Sequence, residues 1–250
     1  MKCYLQNNLQ STRSYNLKPE NAFPERSKRS FTPHWDAKTY SRFAAPFYDL
    51  ATRVTGWQQH LVEYALEGLN EGRLLDVGCG TGIVLGPALA KGLDAVGLDP
   101  SEGMLARAGL KLKQTVVLVL ASAAELPFDN NSFDIVLATG SLVHVPEIEA
   151  AAQEIARIAK PGALIRIIDH AIPLHRSRST VIAGLFSQLS GDILHDYEEV
   201  FRSKAQLQAR TTLGRGGYLQ RFDFIRTALA DSGQKNYSDS YCSEVRSGSR

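Results

Sequence analysis

The chain has 250 residues, of which 44% are hydrophobic, and a formal net charge of +2, so it can bury one full core but not a second large one. So mild a charge argues against nucleic acid as a partner, because nucleic acid requires a concentrated basic face. The three cysteines, Cys3, Cys79 and Cys242, lack the spacing of a zinc site and favour a reducing, cytoplasmic setting.

The first 30 residues differ from the rest, since six Lys and Arg stand against two Glu among many Ser, Asn and Gln. We expect a flexible basic segment over 1–35, a folded domain over 36–230 and a flexible, Ser-rich tail over 231–250. A transit peptide or a tether to anionic lipid would have a similar composition, so organellar targeting and peripheral membrane contact stay open. Neither a signal peptide nor a membrane-spanning run is expected.

Apolar runs bounded by Gly, Pro and Asp predict five buried strands, with amphipathic helices between them. The strands are expected at 73–77, 94–98, 115–120, 133–138 and 163–168, and the helices at 57–69, 83–90, 102–110 and 148–159. This alternation predicts an α/β fold with a doubly wound, mainly parallel, Rossmann-like sheet. Ligands of such sheets bind beyond the carboxyl ends of the strands, where the connecting loops should surround one crevice.

Beyond residue 170 the pattern is weaker. We expect a helix at 179–189 and a strand at 218–225, whereas a partner for that strand is not evident. Three Gly and one Arg at 211–217 stand where the sheet should close. His175 and His195 are interpreted as surface residues.

A glycine-rich turn follows the first of the five strands, which ends in Asp76. Glycines at Gly78, Gly80 and Gly82 permit positive φ and a close approach of the backbone to a ligand. The dinucleotide fingerprint requires glycines at relative positions one, three and six, and here the sixth position is Ile83. The turn therefore points to an adenosyl group without a pyrophosphate.

Three further motifs follow in order. The run 96–101 contains Asp99, where a carboxylate can accept both ribose hydroxyls of an adenosine. The runs 126–137 and 142–146 come next, the last with a Lys-Pro-Gly turn at 160–162. Together these motifs resemble those of class I S-adenosylmethionine-dependent methyltransferases over about half the chain, and most of all the branch with ubiquinone, menaquinone and phospholipid N-methyltransferases. The resemblance implies seven strands and an N-terminal helical lid.

The resemblance also implies S-adenosyl-L-methionine as cofactor. Asp76 would orient the amides of the glycine turn or meet the cofactor ammonium, or it would only cap the loop. Asp99 would hold the ribose, or it would cap the helix that begins after Ser101. The residues expected to bind the cofactor are Asp76, Gly78, Cys79, Gly80, Gly82, Asp99, Pro100, Met104, Ser122, Ala123, Glu125 and Thr139.

The adenine side departs from the family. Ser122 stands where relatives carry an Asp for the adenine amino group. A hydroxyl can accept the same hydrogen bond without charge, or Glu125 can take its place. We expect a cofactor affinity about tenfold lower than with the acid.

Three residues are candidates to assist methyl transfer. Tyr48 would close a lid over the cofactor, or would only pack an amphipathic helix on the core. His144 and His170 each follow a strand and would act as a general base, or His144 would only hydrogen-bond its loop. No cluster has metal-ligand spacing, so no metal is expected.

The predicted function is methyl transfer to a small or lipid-like molecule held by the lid and by 171–197. Quinone precursors, phospholipid amines and specialised natural products all stay open as acceptors. The alternatives are a non-catalytic cofactor-binding or scaffold protein, another use of the cofactor such as cyclisation, and a macromolecular substrate.

Overall fold

The computed structural model describes residues 3–4, 57–113, 115–170, 193–213 and 219–227. In chain order the strands are β1 (Cys3–Tyr4), β2 (Arg73–Val77), β3 (Asp94–Asp99), β4 (Val117–Leu120), β5 (Phe133–Thr139), β6 (Ala159–His170), β7 (Ala205–Leu213) and β8 (Leu219–Arg226). The helices are α1 (Trp57–Leu66), α2 (Leu85–Ala90), α3 (Glu102–Lys111), α4 (Ile148–Ile158) and α5 (Tyr197–Phe201), with a 3₁₀ turn at Leu142–His144. None of these helices is long and apolar enough to cross a membrane.

The strands form one mixed sheet in the order β1-β4-β3-β2-β5-β6-β8-β7. The neighbours from β4 to β6 are parallel, whereas β8 and β7 run antiparallel at one edge and the two-residue β1 at the other. This confirms the predicted doubly wound sheet, whose seven expected strands are β2 to β8, and the two-residue β1 adds an eighth. The winding reverses between β2 and β5, which places the topological switch point at their carboxyl ends.

Each face of the sheet carries its own apolar core. Leu74 belongs to the cluster that includes α1, α2 and α3, whereas Leu75 belongs to the cluster that includes α4 and α5. Neighbouring residues of a strand point to opposite faces, so a continuous apolar run is what a sheet covered on both sides requires. The helices cover the two faces of the sheet, so the carboxyl ends of the strands are bordered by the connecting loops.

Sequence and structure differ most near the end of the chain. The strand that was not evident is β7, and it pairs with β8 as the sheet edge. Most of its residues are exposed or half-buried, so it lacks the apolar run that marks a buried strand. The short segment 1–35 also contributes β1, which pairs with β4. Tyr48, the tail 231–250 and the helix expected at 179–189 lie outside the described residues.

Candidate active site

A cavity of about 260 Å³ opens at the switch point, between the carboxyl ends of β2, β3 and β5. Ten of the twelve residues predicted to bind the cofactor line it: Asp76, Gly78, Cys79, Gly80, Asp99, Pro100, Met104, Ser122, Ala123 and Thr139. Gly82 and Glu125 do not. A Cβ on Gly82 would lie 2.9 Å from Leu112 Cδ1, so this glycine packs against the turn after α3. The Glu125 side chain is exposed.

The glycine turn is fastened to its neighbours by backbone contacts. The N–H groups of Gly78 and Cys79 both donate to Leu98 O, at 2.7 and 2.9 Å. Gly78 has φ of +75°, and a Cβ there would lie 2.3 Å from Ser141 Cβ, so no other residue fits. Burial raises the pKa of the Cys79 thiol, which keeps it protonated and neutral.

Asp99 is buried at the end of β3, and each of its oxygens accepts one backbone hydrogen bond. Gly80 N donates to Oδ2 at 2.9 Å and Ser101 N donates to Oδ1 at 2.8 Å. The acid therefore ties the glycine turn to the start of α3. Burial raises its pKa, and these two bonds lower it by a smaller amount. A carboxylate oxygen accepts more than one bond, so both oxygens keep capacity for hydroxyl donors.

Asp76 lies at the end of β2 and is only 2% exposed. Its Oδ1 is buried, and no group in the described part of the chain hydrogen-bonds to it. Burial, followed by the nearby charge of Asp99, raises the pKa of this carboxyl to about 7. A buried acceptor without a partner at a cavity wall fits a ligand that brings a donor or a positive charge.

The loop after β4, where the adenine is expected to bind, is tight. Glu125 N donates to Ser122 O at 3.1 Å, and the Ser122 hydroxyl accepts from Ala124 N at 3.2 Å. The Ser122 hydroxyl is thus already an acceptor for the backbone. Glu125 is exposed and does not line the cavity, so it does not take the place of the Asp expected at Ser122.

Another wall of the cavity follows β5 and begins beside the glycine turn. Its Ser141 hydroxyl donates to Val77 O at 2.7 Å, and the exposed His144 lines the cavity together with Leu142 and Val145. We call Leu142, His144, Val145 and Pro146 the acceptor-side wall, after the role that we propose for them. His170 does not line the cavity, although its neighbour Asp169 supports this wall. Tyr48 lies outside the described residues.

One prediction near this wall is wrong. His195 was expected at the surface, but the structure buries it to 8% exposure. Burial lowers the pKa of its imidazole. Hydrogen bonds to the backbone of Leu142 and Val145 raise this pKa, but by less than burial lowers it. A chain segment distant in sequence covers the loop after β5, and local composition gives no sign of that.

Sequence reasoning also missed residues that shape the site, namely Ser141, Asp169 and Tyr197. A sequence pattern could have identified Asp169. It is an acid close to the carboxyl end of a buried parallel strand, the same pattern that drew attention to Asp76 and Asp99. Within the described ranges, His, Cys, Asp and Glu form no group that could hold a metal ion.

A doubly wound sheet with this strand order, an acid-glycine turn and a second acid at the end of β3 defines a class I methyltransferase. A family model described as a methyltransferase domain matches residues 75–167. The demethylmenaquinone methyltransferase of Renibacterium salmoninarum is 35% identical over 134 residues, which are 52% of this chain and 56% of that protein. That of Shouchella clausii is 30% identical over 178 residues, 67% of this chain and 74% of the relative.

A structure of a S-adenosylmethionine-dependent methyltransferase from Thermotoga maritima matches with a TM-score of 0.60 at 20% identity, covering 77% of this chain and 100% of that one. This likeness shows the fold. The family model and the sequence relatives show the family. The chain belongs to the class I S-adenosylmethionine-dependent methyltransferases, in the small-molecule branch that includes demethylmenaquinone methyltransferases.

The cofactor of this family is S-adenosylmethionine, and the cavity suits it. The molecule carries a sulfonium and an ammonium group, and the cavity offers two buried acids, Asp76 and Asp99. Asp76 Oδ1 needs a partner, and Asp99 can accept further bonds. The residues present therefore fit the group.

Proposed function

We propose that this chain transfers a methyl group to an apolar ring compound of the quinol type. The observation that carries this proposal is the contrast between two parts of the lining of one cavity. Buried carboxyl groups and the glycine turn form one part, whereas Leu142, Val145 and Pro146 form an apolar part beside His144. Similarity to demethylmenaquinone methyltransferases supports a quinol.

When bound, S-adenosylmethionine supplies an electrophilic methyl group. The chain's own task is to hold the reacting atom of the acceptor in line and to exclude water. The acceptor-side wall performs the holding, and its apolar side chains favour a ring over a charged headgroup. Because an electron-rich atom must attack, the reduced, hydroxyl-bearing form of the ring is the substrate we propose.

We assign His144 as the group that takes the hydroxyl proton, because imidazole is the side chain that accepts a proton near neutral pH. It lines the cavity on the acceptor side, whereas His170 does not. Asp99 is assigned to the ribose.

Calorimetric titration with S-adenosylhomocysteine and an assay with a short-chain demethylmenaquinol test these assignments. Asp99→Asn should weaken binding by roughly tenfold to a hundredfold, because the amide keeps one acceptor oxygen and the loss of one bond to a charged acceptor costs about 1.5–3 kcal/mol. His144→Gln should leave binding unchanged and lower kcat by about 10²–10⁴, the usual contribution of a general base. Binding without any product would remove the quinol from consideration. If the folded protein does not bind S-adenosylhomocysteine, the proposal that it is an active methyltransferase is wrong.

A further inference from the structure

Asp169 lies at the end of β6, is 1% exposed, and accepts four hydrogen bonds. Leu142 N and Val143 N donate to its Oδ2 at 2.9 and 3.1 Å, and the Tyr197 hydroxyl donates to the same oxygen at 3.2 Å. His170 N donates to Oδ1 at 2.9 Å. The first amides of a short helix have no partner within it, so this carboxylate caps the 3₁₀ turn from another strand.

The segment 193–197 holds the same turn from a second direction. Ile193 N donates to Val143 O at 2.8 Å, so both backbone groups of Val143 are engaged by parts of the chain that lie far from it in sequence. The ring of His195 lies 5.9 Å from that of Tyr197, and both rings are buried. Tyr197 is fully buried and also packs edge to face against Phe222 of β8. The hydroxyl that reaches Asp169 is thus held by the core.

We propose that Asp169 and Tyr197 form a positioning pair that sets the place of the acceptor-side wall. Neither residue lines the cavity, so neither touches cofactor or acceptor. They act through Leu142 and Val143, whose amides they fix, and the turn that follows carries His144. This inference rests on the proposed function, because it assigns the wall to the methyl acceptor.

The pair should affect the acceptor far more than the cofactor. The described hydrogen bonds of Asp169 go to the turn, to His170 and to Tyr197, whereas the glycine turn is fastened to β3 through Leu98 and Asp99. In-line methyl transfer depends on alignment, and a displacement of about 1 Å can cost on the order of a hundredfold in rate. Loosening the turn should therefore lower kcat while the affinity for the cofactor is kept.

The test uses Tyr197→Phe, which removes one hydroxyl, and Asp169→Asn, which removes the charge and keeps the shape. Tyr64→Phe on α1 is the matched control, because it removes a hydroxyl from a half-buried tyrosine outside the cavity lining. Hydrogen exchange of the Leu142 and Val143 amides is the first measurement. The expected result is exchange at least tenfold faster in both variants and unchanged in the control.

The second measurement separates positioning from plain stability. With a demethylmenaquinol as acceptor, we expect kcat to fall about tenfold in Tyr197→Phe and about a hundredfold in Asp169→Asn. The KM for S-adenosylmethionine and the Kd for S-adenosylhomocysteine should stay within about twofold of the wild type.

Unchanged exchange at both amides would overturn the proposal. So would faster exchange spread evenly over the whole sheet with kcat preserved, because that pattern belongs to a stabilising role alone. If the wild type turns over no quinol, the acceptor assignment fails separately. The exchange data then still decide whether Asp169 and Tyr197 fix the turn.

Discussion

Asp76 is held in its folded position at an electrostatic cost. Its carboxyl group is buried, its Oδ1 has no hydrogen-bond partner among the described residues, and its pKa is raised to about 7 by burial and then by Asp99. Without ligand the group is therefore about half protonated near neutral pH. A cationic ligand favours the ionised form, so binding and deprotonation should be linked.

We expect the affinity for S-adenosylmethionine to fall as the pH drops below 7, by up to about tenfold for each pH unit, because the proton must leave Asp76 before the charged contact forms. Titration calorimetry from about pH 5 to about pH 8.5 measures this. Near pH 7 the heat should also depend on the buffer, since a proton is released.

The control is Asp76→Asn, which should bind more weakly at high pH and show a much flatter profile. Asp99 is the competing explanation, because burial raises its pKa as well. A profile for Asp76→Asn as steep as that of the wild type would contradict the assignment to Asp76.

At the scale of elements, α4 holds the loop after β4, whose Ser122 and Ala123 line the cavity. Leu126 N donates to Glu154 Oε2 at 2.9 Å, and Arg157 Nη2 donates to Leu126 O at the same distance. Arg157 also donates to Phe128 O at 2.7 Å and pairs with Glu154. One helix thus fixes both backbone groups of Leu126, a few residues after Ser122 and Ala123.

Replacing Arg157 by Lys keeps the charge but loses the planar fork that reaches several acceptors at once. We expect Arg157→Lys to weaken S-adenosylhomocysteine binding severalfold and to leave kcat at saturating cofactor unchanged, because only the loop after β4 is loosened. Isothermal titration and initial-rate kinetics measure the two effects. Arg202→Lys, at an exposed ion pair with Glu199, is the control and should change neither. A loss of kcat with binding intact would refute this role.

The same elements show which parts of the structure the sequence could predict. Strands β2 and β3, the glycine turn and Asp99 were predictable because their signals are local: an apolar run, an acid and glycines at fixed spacing. Strand β7 was not, because an edge strand alternates exposed and half-buried positions and needs few apolar residues. The burial of His195 and the reach of Tyr197 to Asp169 depend on contacts between segments far apart in sequence, which periodicity does not report.

At the scale of the whole molecule, one buried arginine joins the first described helix to the far half of the sheet. Arg166 of β6 forms a two-pronged ion pair with Asp223 of β8, at 2.7 and 3.0 Å. Its remaining nitrogen donates to the carbonyl oxygens of Ala65 and Glu67, at 3.0 and 2.8 Å, at the carboxyl end of α1. Leu61 of α1 lines the cavity, so by holding α1 this arginine also helps to position one wall of the site.

Arg166→Met should lower the free energy of unfolding by about 3 kcal/mol, near the low end of the usual loss for a broken buried pair, because Arg221 still lies 3.3 Å from Asp223. Urea unfolding followed by circular dichroism measures the loss. The double variant Arg166→Met, Asp223→Leu should be more stable than the single variant. It also removes the buried carboxylate that has lost its main partner, Arg166. A double variant less stable than Arg166→Met would contradict this, and would mean that Asp223 still stabilises the fold through its remaining pair with Arg221.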